Sequence, residues 1–270
     1  MKNQKIILII FSLIFFNGFG QKKELKAVEK ALKTKDFVAA KENIVEVEKY
    51  NLQDADDKIK IKYHYLKGVS YYAEGESSLA DAYLALDNFK KVISLEEEST
   101  YKTYTDKVKP LKSAMLNKFV ENAKAALDLK DYKTSYANLE SAFRVSPSDT
   151  LYLYNAALLA TETKDFDVAM DFYKELESLD FTGVSTNYYA TEVLTGEEQS
   201  FASESNRDLF VKAGTHKDER NELTVSVQLN VFRSMAAIYK NLGDTDNALN
   251  YIYKAKEISS EDINLILLES

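Results

Sequence analysis

The chain repeats one pattern of large and small residues at an interval of 34 residues. Phe119, Asn122, Ala123, Asp131, Tyr132, Ser135, Leu139 and Ala142 are followed by Leu153, Ala156, Ala157, Asp165, Phe166, Ala169, Tyr173 and Leu176. A third copy, Phe232, Met235, Ala236, Asp244, Thr245, Ala248, Ile252 and Ala255, comes after an interruption. A period of this length belongs to a two-helix unit that cannot bury its apolar stripe alone and leans on a neighbour. In each copy a small residue on the first helix (Ala123, Ala157, Ala236) and one on the second (Ser135, Ala169, Ala248) let the two helices approach closely. The large positions fill the space between successive hairpins. With 8 Gly and 2 Pro in 270 residues, there is little of the punctuation a β-rich chain needs.

These residues resemble the tetratricopeptide repeat, a helix–turn–helix unit with a large then a small residue on helix A and a small-x-x-x-aromatic step on helix B. The resemblance implies an all-α fold, an α-solenoid of about five helix hairpins with a small β-hairpin-containing insertion. Lys130-Asp131, Lys164-Asp165 and Gly243-Asp244 fall at the tight A–B turn, where the Asp is expected to cap helix B. Two fainter copies precede these. Leu25 to Leu32 with Lys35-Asp36-Phe37 reads as one hairpin, and Tyr65 to Tyr72 reads as helix A of the next. The step from Gly68 to Phe89 is five residues longer than elsewhere, which predicts a lengthened turn around Gly75 to Ser78. Thr103 to Leu116, with Pro110, predicts an additional or kinked helical stretch. The expected division is repeats one to four over 21–183, an insertion over 184–228, repeat five over 229–262, and the start of an incomplete sixth repeat over 263–270.

The first twenty residues stand apart. Lys2 and Lys5 precede the greasy run Ile6 to Phe16, and Gly18 and Gly20 occupy the −3 and −1 positions of a cut before Gln21. That is the layout of a signal peptide cleaved after Gly20, and the run is short for a membrane span. The expectation is a periplasmic or secreted protein of a Gram-negative-type bacterium, with no transmembrane span after cleavage. There is no Cys, so disulfides, thiol nucleophiles and Cys-based metal sites are excluded. The formal charge of −8, or −10 once Lys2 and Lys5 are removed, excludes nucleic acid as a main partner.

Within the insertion, Asn187 to Val193 and Glu197 to Phe201, joined by Thr195-Gly196, predict a β-hairpin. Ser205 to Ala213 predicts a short helix stopped by Gly214, and the following charged segment reads as a solvated loop that includes His216. Tyr188-Tyr189-Ala190, Thr195-Gly196-Glu197-Glu198, Phe201, Arg207-Asp208-Leu209 and Val211 to His216 also resemble a group of exported bacterial repeat proteins with an inserted segment before the last hairpin. Members of that group look longer at the C-terminal end. The apolar run Ile263 to Leu268 accordingly reads as a hairpin begun and not finished, a possible surface for self-association.

The sequence gives little for catalysis: two His, no Cys, and carboxylates spread along helix faces. His64 sits at a packing position. Glu197-Glu198 and Asp218-Glu219 are adjacent in sequence, so in a strand each doublet points to opposite faces and forms no acid–base pair. No catalytic, cofactor-binding or metal-binding residue is assigned and no cofactor is expected. The repeat resemblance implies instead a groove lined by helix A positions not used in packing, among them Tyr65, Tyr72, Val120, Lys124, Leu127, Tyr154, Leu158 and Arg233. Tyr and Arg carry large contact area with a polar handle. Some family members clamp a peptide carboxylate through Lys and Asn, but Val120 and Lys124 stand there, and that role is not carried over. The expected function is a non-enzymatic scaffold binding a protein or peptide partner in the cell envelope. The rivals are an envelope hydrolase or carbohydrate-acting protein using Glu197, Asp208 or His216, and a structural segment of an envelope assembly.

Overall fold

The computed structural model describes residues 21–259. The leader expected over 1–20 and the incomplete repeat expected from 263 lie outside the described residues. The chain divides into two compact units, residues up to Lys124 with Arg144–Ser146, and Ala125–Phe143 with Pro147 onward. The fold is that of helical hairpins with one small sheet, as the repeat pattern implies.

In the first unit, α1 (21–33) and α2 (Phe37–Glu48) form a hairpin, followed by α3 (Asp57–Tyr72) and α4 (Leu79–Glu98). Leu25, Val28, Ala40, Ile44 and Val47 share a core with Ile59, Tyr63 and Leu66 of α3. The lengthened turn is a 3-10 turn at Ala73–Gly75, after which Ser78 caps α4 by accepting from the Asp81 N–H. Between α3 and α4 there is a tight approach at Gly68: a Cβ there would lie 2.5 Å from Cε1 of Phe89, which is fully buried. Gly68→Ala is therefore expected to cost about 2 kcal/mol by overpacking, read as a lower urea midpoint with unchanged slope. A wild-type midpoint would show that the Phe89 ring can give way.

The additional or kinked helical stretch expected over Thr103 to Leu116 is the first part of α5 (Thr105–Asp128), with Pro110 inside it. Pro110 is in the second turn, where its missing N–H leaves the Asp106 carbonyl without its ladder bond. Glu96, on α4 and 1% exposed, supplies the start of α5: its carboxylate accepts from the N–H groups of Thr103 (2.6 Å), Tyr104 (2.8 Å) and Thr105 (2.9 Å).

The second unit contains α6 (Tyr132–Val145, of which Arg144 and Val145 belong to the first unit), α7 (Leu151–Glu162), α8 (Phe166–Ser178), α10 (Gln228–Asn241) and α11 (Thr245–Ile258). Leu153, Ala157, Tyr173, Leu176, Met235, Ala236 and Ile252 lie in one core, so α10 packs as the next layer after α7–α8 despite the interruption. Tyr251 and Lys254 of α11 both reach Glu177 of α8, at 2.7 and 2.5 Å.

Four A–B turns share one backbone geometry. Lys35, Lys130, Lys164 and Gly243 have φ of +56°, +60°, +60° and +77°, and the following Asp N–H bonds back to Ala31, Ala126, Ala160 and Tyr239 respectively. This is the Schellman closure of helix A. Asp36, Asp131 and Asp244 then cap helix B as expected, accepting from Ala39, Thr134 and Asn247. Asp165 does not cap. Its carboxylate turns to Lys133 (3.2 Å), Tyr136 (3.0 Å) and Thr163 (3.1 Å), tying the α7–α8 turn to α6; the bonds from Lys133 and Tyr136 hold its pKa below the usual carboxylate range.

The inserted segment leaves after α8 and returns through a narrow neck. Thr182 C=O accepts from the Val227 N–H (2.8 Å) and Ser226 Oγ (3.0 Å), and Gly183, at φ +68°, has no room for a Cβ beside Val227 Cγ2. The expected hairpin is β1 (Thr186–Glu192) with β2 (Glu198–Phe201), in the register Tyr188↔Phe201 to Thr191↔Glu198. The short helix is α9 (Glu204–Lys212), capped by Ser203. The supposed loop after Gly214 is a third strand, β3 (His216–Leu223), so the order is β2-β1-β3, antiparallel throughout. His216 is consequently 6% exposed, between the rings of Phe201 and Phe210, rather than in solvent.

Candidate functional site

The groove positions do not behave alike. Tyr72 is 7% exposed and belongs to the core of the first unit, which corrects its assignment to a binding face. Tyr65 is half-buried and stacked on Tyr104 with centroids 4.5 Å apart, while the Lys107 ammonium lies 4.9 Å from the Tyr104 ring. Its outward face is thus taken up by the segment leading into α5. Lys124 on α5 is exposed, and Val120 is half-buried.

In the second unit, three predicted residues share a neighbourhood. Tyr154 and Leu158 are one turn apart on α7, and Leu158 is exposed. Tyr154 packs on Phe181 (centroids 5.4 Å), and its hydroxyl bonds to Asn230 at the start of α10. Arg233, one turn further along α10, bonds to the same Asn230 and lies near enough to act on Tyr154 electrostatically. Burial, then the neighbouring Tyr173, pushes the Tyr154 hydroxyl above its ordinary pKa, and Asn230 and Arg233 pull it back. Beneath them the buried Tyr173 bonds to Thr161 of α7 (3.3 Å) and Ser234 of α10. Adjacent to the Tyr154–Phe181 pair is an open cleft of about 320 Å³, lined by Leu151, Phe181 and Val184 and, over more of its surface, by polar residues such as Asp149, Asp180 and Thr182. Sequence reasoning missed Asn230 and Thr161. The signal was present, since Asn230 is one turn before Arg233 on the same helix face.

The constellation required by a hydrolytic reading does not assemble. His216 has one ring nitrogen on Thr215 Oγ1 (3.0 Å) and the other on Gln199 Oε1 (3.2 Å). Asp208 is paired with Arg207 at 2.9 Å, and Glu197 is exposed in the β1–β2 turn. His64 is half-buried with Nδ1 on Asn88 (2.8 Å), and burial lowers its pKa. Among the described residues no group of three or more His, Asp or Glu side chains is disposed to hold a metal ion. No described helix is long and apolar enough to cross a membrane.

The tetratricopeptide repeat family model matches residues 234–262. Comparison with curated proteins returns no match. Among solved structures, the chain is similar to MamA protein at 15% identity (90% of this chain, 94% of the other, TM-score 0.32). It is also similar to PilW, a widely conserved type IV pilus biogenesis factor, at 13% identity (99% and 90%, TM-score 0.34), and to pilF of Pseudomonas aeruginosa at 12% identity (94% and 98%, TM-score 0.30). The match takes in the second half of α10, its turn and α11, and the turn geometry recurs at Lys35-Asp36, Lys130-Asp131 and Lys164-Asp165. The tetratricopeptide repeat match thus falls on one hairpin, and the closure of that hairpin is repeated at three earlier turns of the chain.

Proposed function

We propose that the chain is an exported, non-enzymatic scaffold of the cell envelope that holds a segment of a partner protein on the α7–α10 face. The observation that carries this reading is the grouping of Tyr154, Leu158 and Arg233 with Asn230 beside a cleft of mixed polar and apolar lining. Such a face suits a segment with an apolar side chain for Tyr154 and Leu158 and a carboxylate or carbonyl for Arg233. Lys124, Tyr65 and the other groove positions are peripheral to this reading. Export rests on the sequence of residues 1–20, with its basic start, apolar run and small residues before Gln21.

The test is affinity capture from envelope extracts, comparing the intact chain with Tyr154→Ala and Arg233→Ala, each first shown to unfold at the wild-type temperature. Loss of one and the same captured protein in both variants is expected. Unchanged capture by both would remove this face from consideration.

A further inference from the structure

The outer edge of β3 carries a pattern that fits a second copy of itself. Among the described residues no strand lies beyond it. Thr224 donates its N–H to Ser185 and Asn187 is opposite Glu222, so the alternation of an antiparallel ladder turns the N–H and C=O of Asn221 and Leu223 away from β1. Both residues are exposed. At the other end of the strand the register shifts between Tyr189↔Arg220 and Thr191↔Lys217, with Asp218 at φ +53°. This bulge limits the regular edge to Glu219–Leu223.

Along that edge the side chains are sorted. Arg220 lies over the Tyr189 ring at 4.2 Å and contacts Glu222 at 2.7 Å, so Arg220 and Glu222 share the face opposite α9, whereas Asn221 bonds to Arg207 of α9. We propose that two copies pair through β3, antiparallel about a two-fold axis at Asn221, joining two three-stranded sheets into one of six. In this register Arg220 of each copy stands opposite Glu222 of the other, and opposite charges directly across an antiparallel pair attract. Sliding the register by two residues puts Arg220 opposite Arg220, or Glu222 opposite Glu222, and both repel. Charged edges discourage indiscriminate strand addition, and here the charges admit one arrangement. Pairing of 219, 221 and 223 supplies about six backbone hydrogen bonds. So small an interface implies a weak dimer, with Kd in roughly the 10–100 µM range.

The test is analytical ultracentrifugation of the chain from Gln21 onward, which keeps every described element, between about 5 and 500 µM. The wild type is expected to pass from monomer to dimer mass. Leu223→Pro removes an N–H that β1 does not use, so it should fold and remain monomeric, while Leu223→Ala still associates. Glu222→Lys and Arg220→Glu should each be monomeric alone, and their equimolar mixture should dimerise, because each cross-pair is again opposite in charge. Should Arg220→Glu disturb the sheet through its contacts with Glu198, the Leu223→Pro and Glu222→Lys variants still decide the matter. A wild type that stays monomeric throughout overturns the proposal. So does association of Leu223→Pro and Glu222→Lys with wild-type affinity, as contact through another surface would give.

Discussion

Arg207→Ala is expected to loosen the inserted sheet while leaving the helical hairpins folded. The Arg207 side chain is 6% exposed and binds Asp208 (2.9 Å), Glu204 (3.5 Å), the Arg220 C=O (3.4 Å) and the Asn221 side chain, with its guanidinium 5.6 Å from the Tyr188 ring centroid. It therefore joins α9 to both β1 and β3, in a segment whose own apolar core is thin: Ala190 is its one fully buried hydrophobic residue. Truncation removes a packed guanidinium and with it the bonds from α9 to β3, while Asp208, Glu204 and Asn221 are exposed enough to regain water. A loss of about 3 kcal/mol, local to the insertion, follows from charged hydrogen bonds of this kind. Amide hydrogen exchange checks it: β1 and β3 should exchange about a hundred-fold faster, with α7, α8 and α10 unchanged. Arg207→Lys should recover only part of the protection, because one ammonium cannot meet that many acceptors in a plane. Unaltered exchange in β1 would show that the neck at Thr182–Val227, not Arg207, holds the sheet.

What could be read from the sequence followed the repeat. The spacing of small and large residues placed the A–B turns at Asp36, Asp131, Asp165 and Asp244, because these are local consequences of a 3.6-residue period. The failures share a cause. β3 reads His-Lys-Asp-Glu-Arg-Asn-Glu-Leu, with no apolar alternation, because seven of its eight residues are exposed and it is held by backbone pairing to β1. Tyr72 had the right helical register for a groove, yet register says which way a residue points and not what lies over it. Tyr65 is covered by Tyr104, which comes from a segment that no periodicity marks. Asp165 has the capping position and abandons it for Lys133 and Tyr136, a choice made by the neighbouring hairpin.

Glu96 is the other residue that periodicity could not expose, and removing its charge is expected to act on the first unit through pH. Burial alone would push its carboxyl up; the three N–H groups of Thr103, Tyr104 and Thr105 outweigh that and hold it below its ordinary value. A carboxylate with a depressed folded-state pKa contributes stability that is complete above its unfolded value, near about 4.3, and disappears as pH falls through the folded value. Glu96→Ala should cost about 3 kcal/mol at neutral pH, since it leaves the start of α5 without its acceptors in a buried place. Glu96→Gln keeps the shape but can offer one carbonyl oxygen, so an intermediate loss is expected. The difference in urea midpoint between wild type and Glu96→Gln should be constant from about pH 6 upward and shrink below about pH 4, because both then present a neutral group to the same N–H donors. Glu48 shares the depressed pKa, through Lys67 and Tyr63, so the wild type loses stability in acid for more than one reason. Subtracting the Gln variant isolates the Glu96 part. A difference that stays flat down to pH 3 would mean that the carboxylate's charge adds nothing to the cap and that shape alone seats α5 on α4.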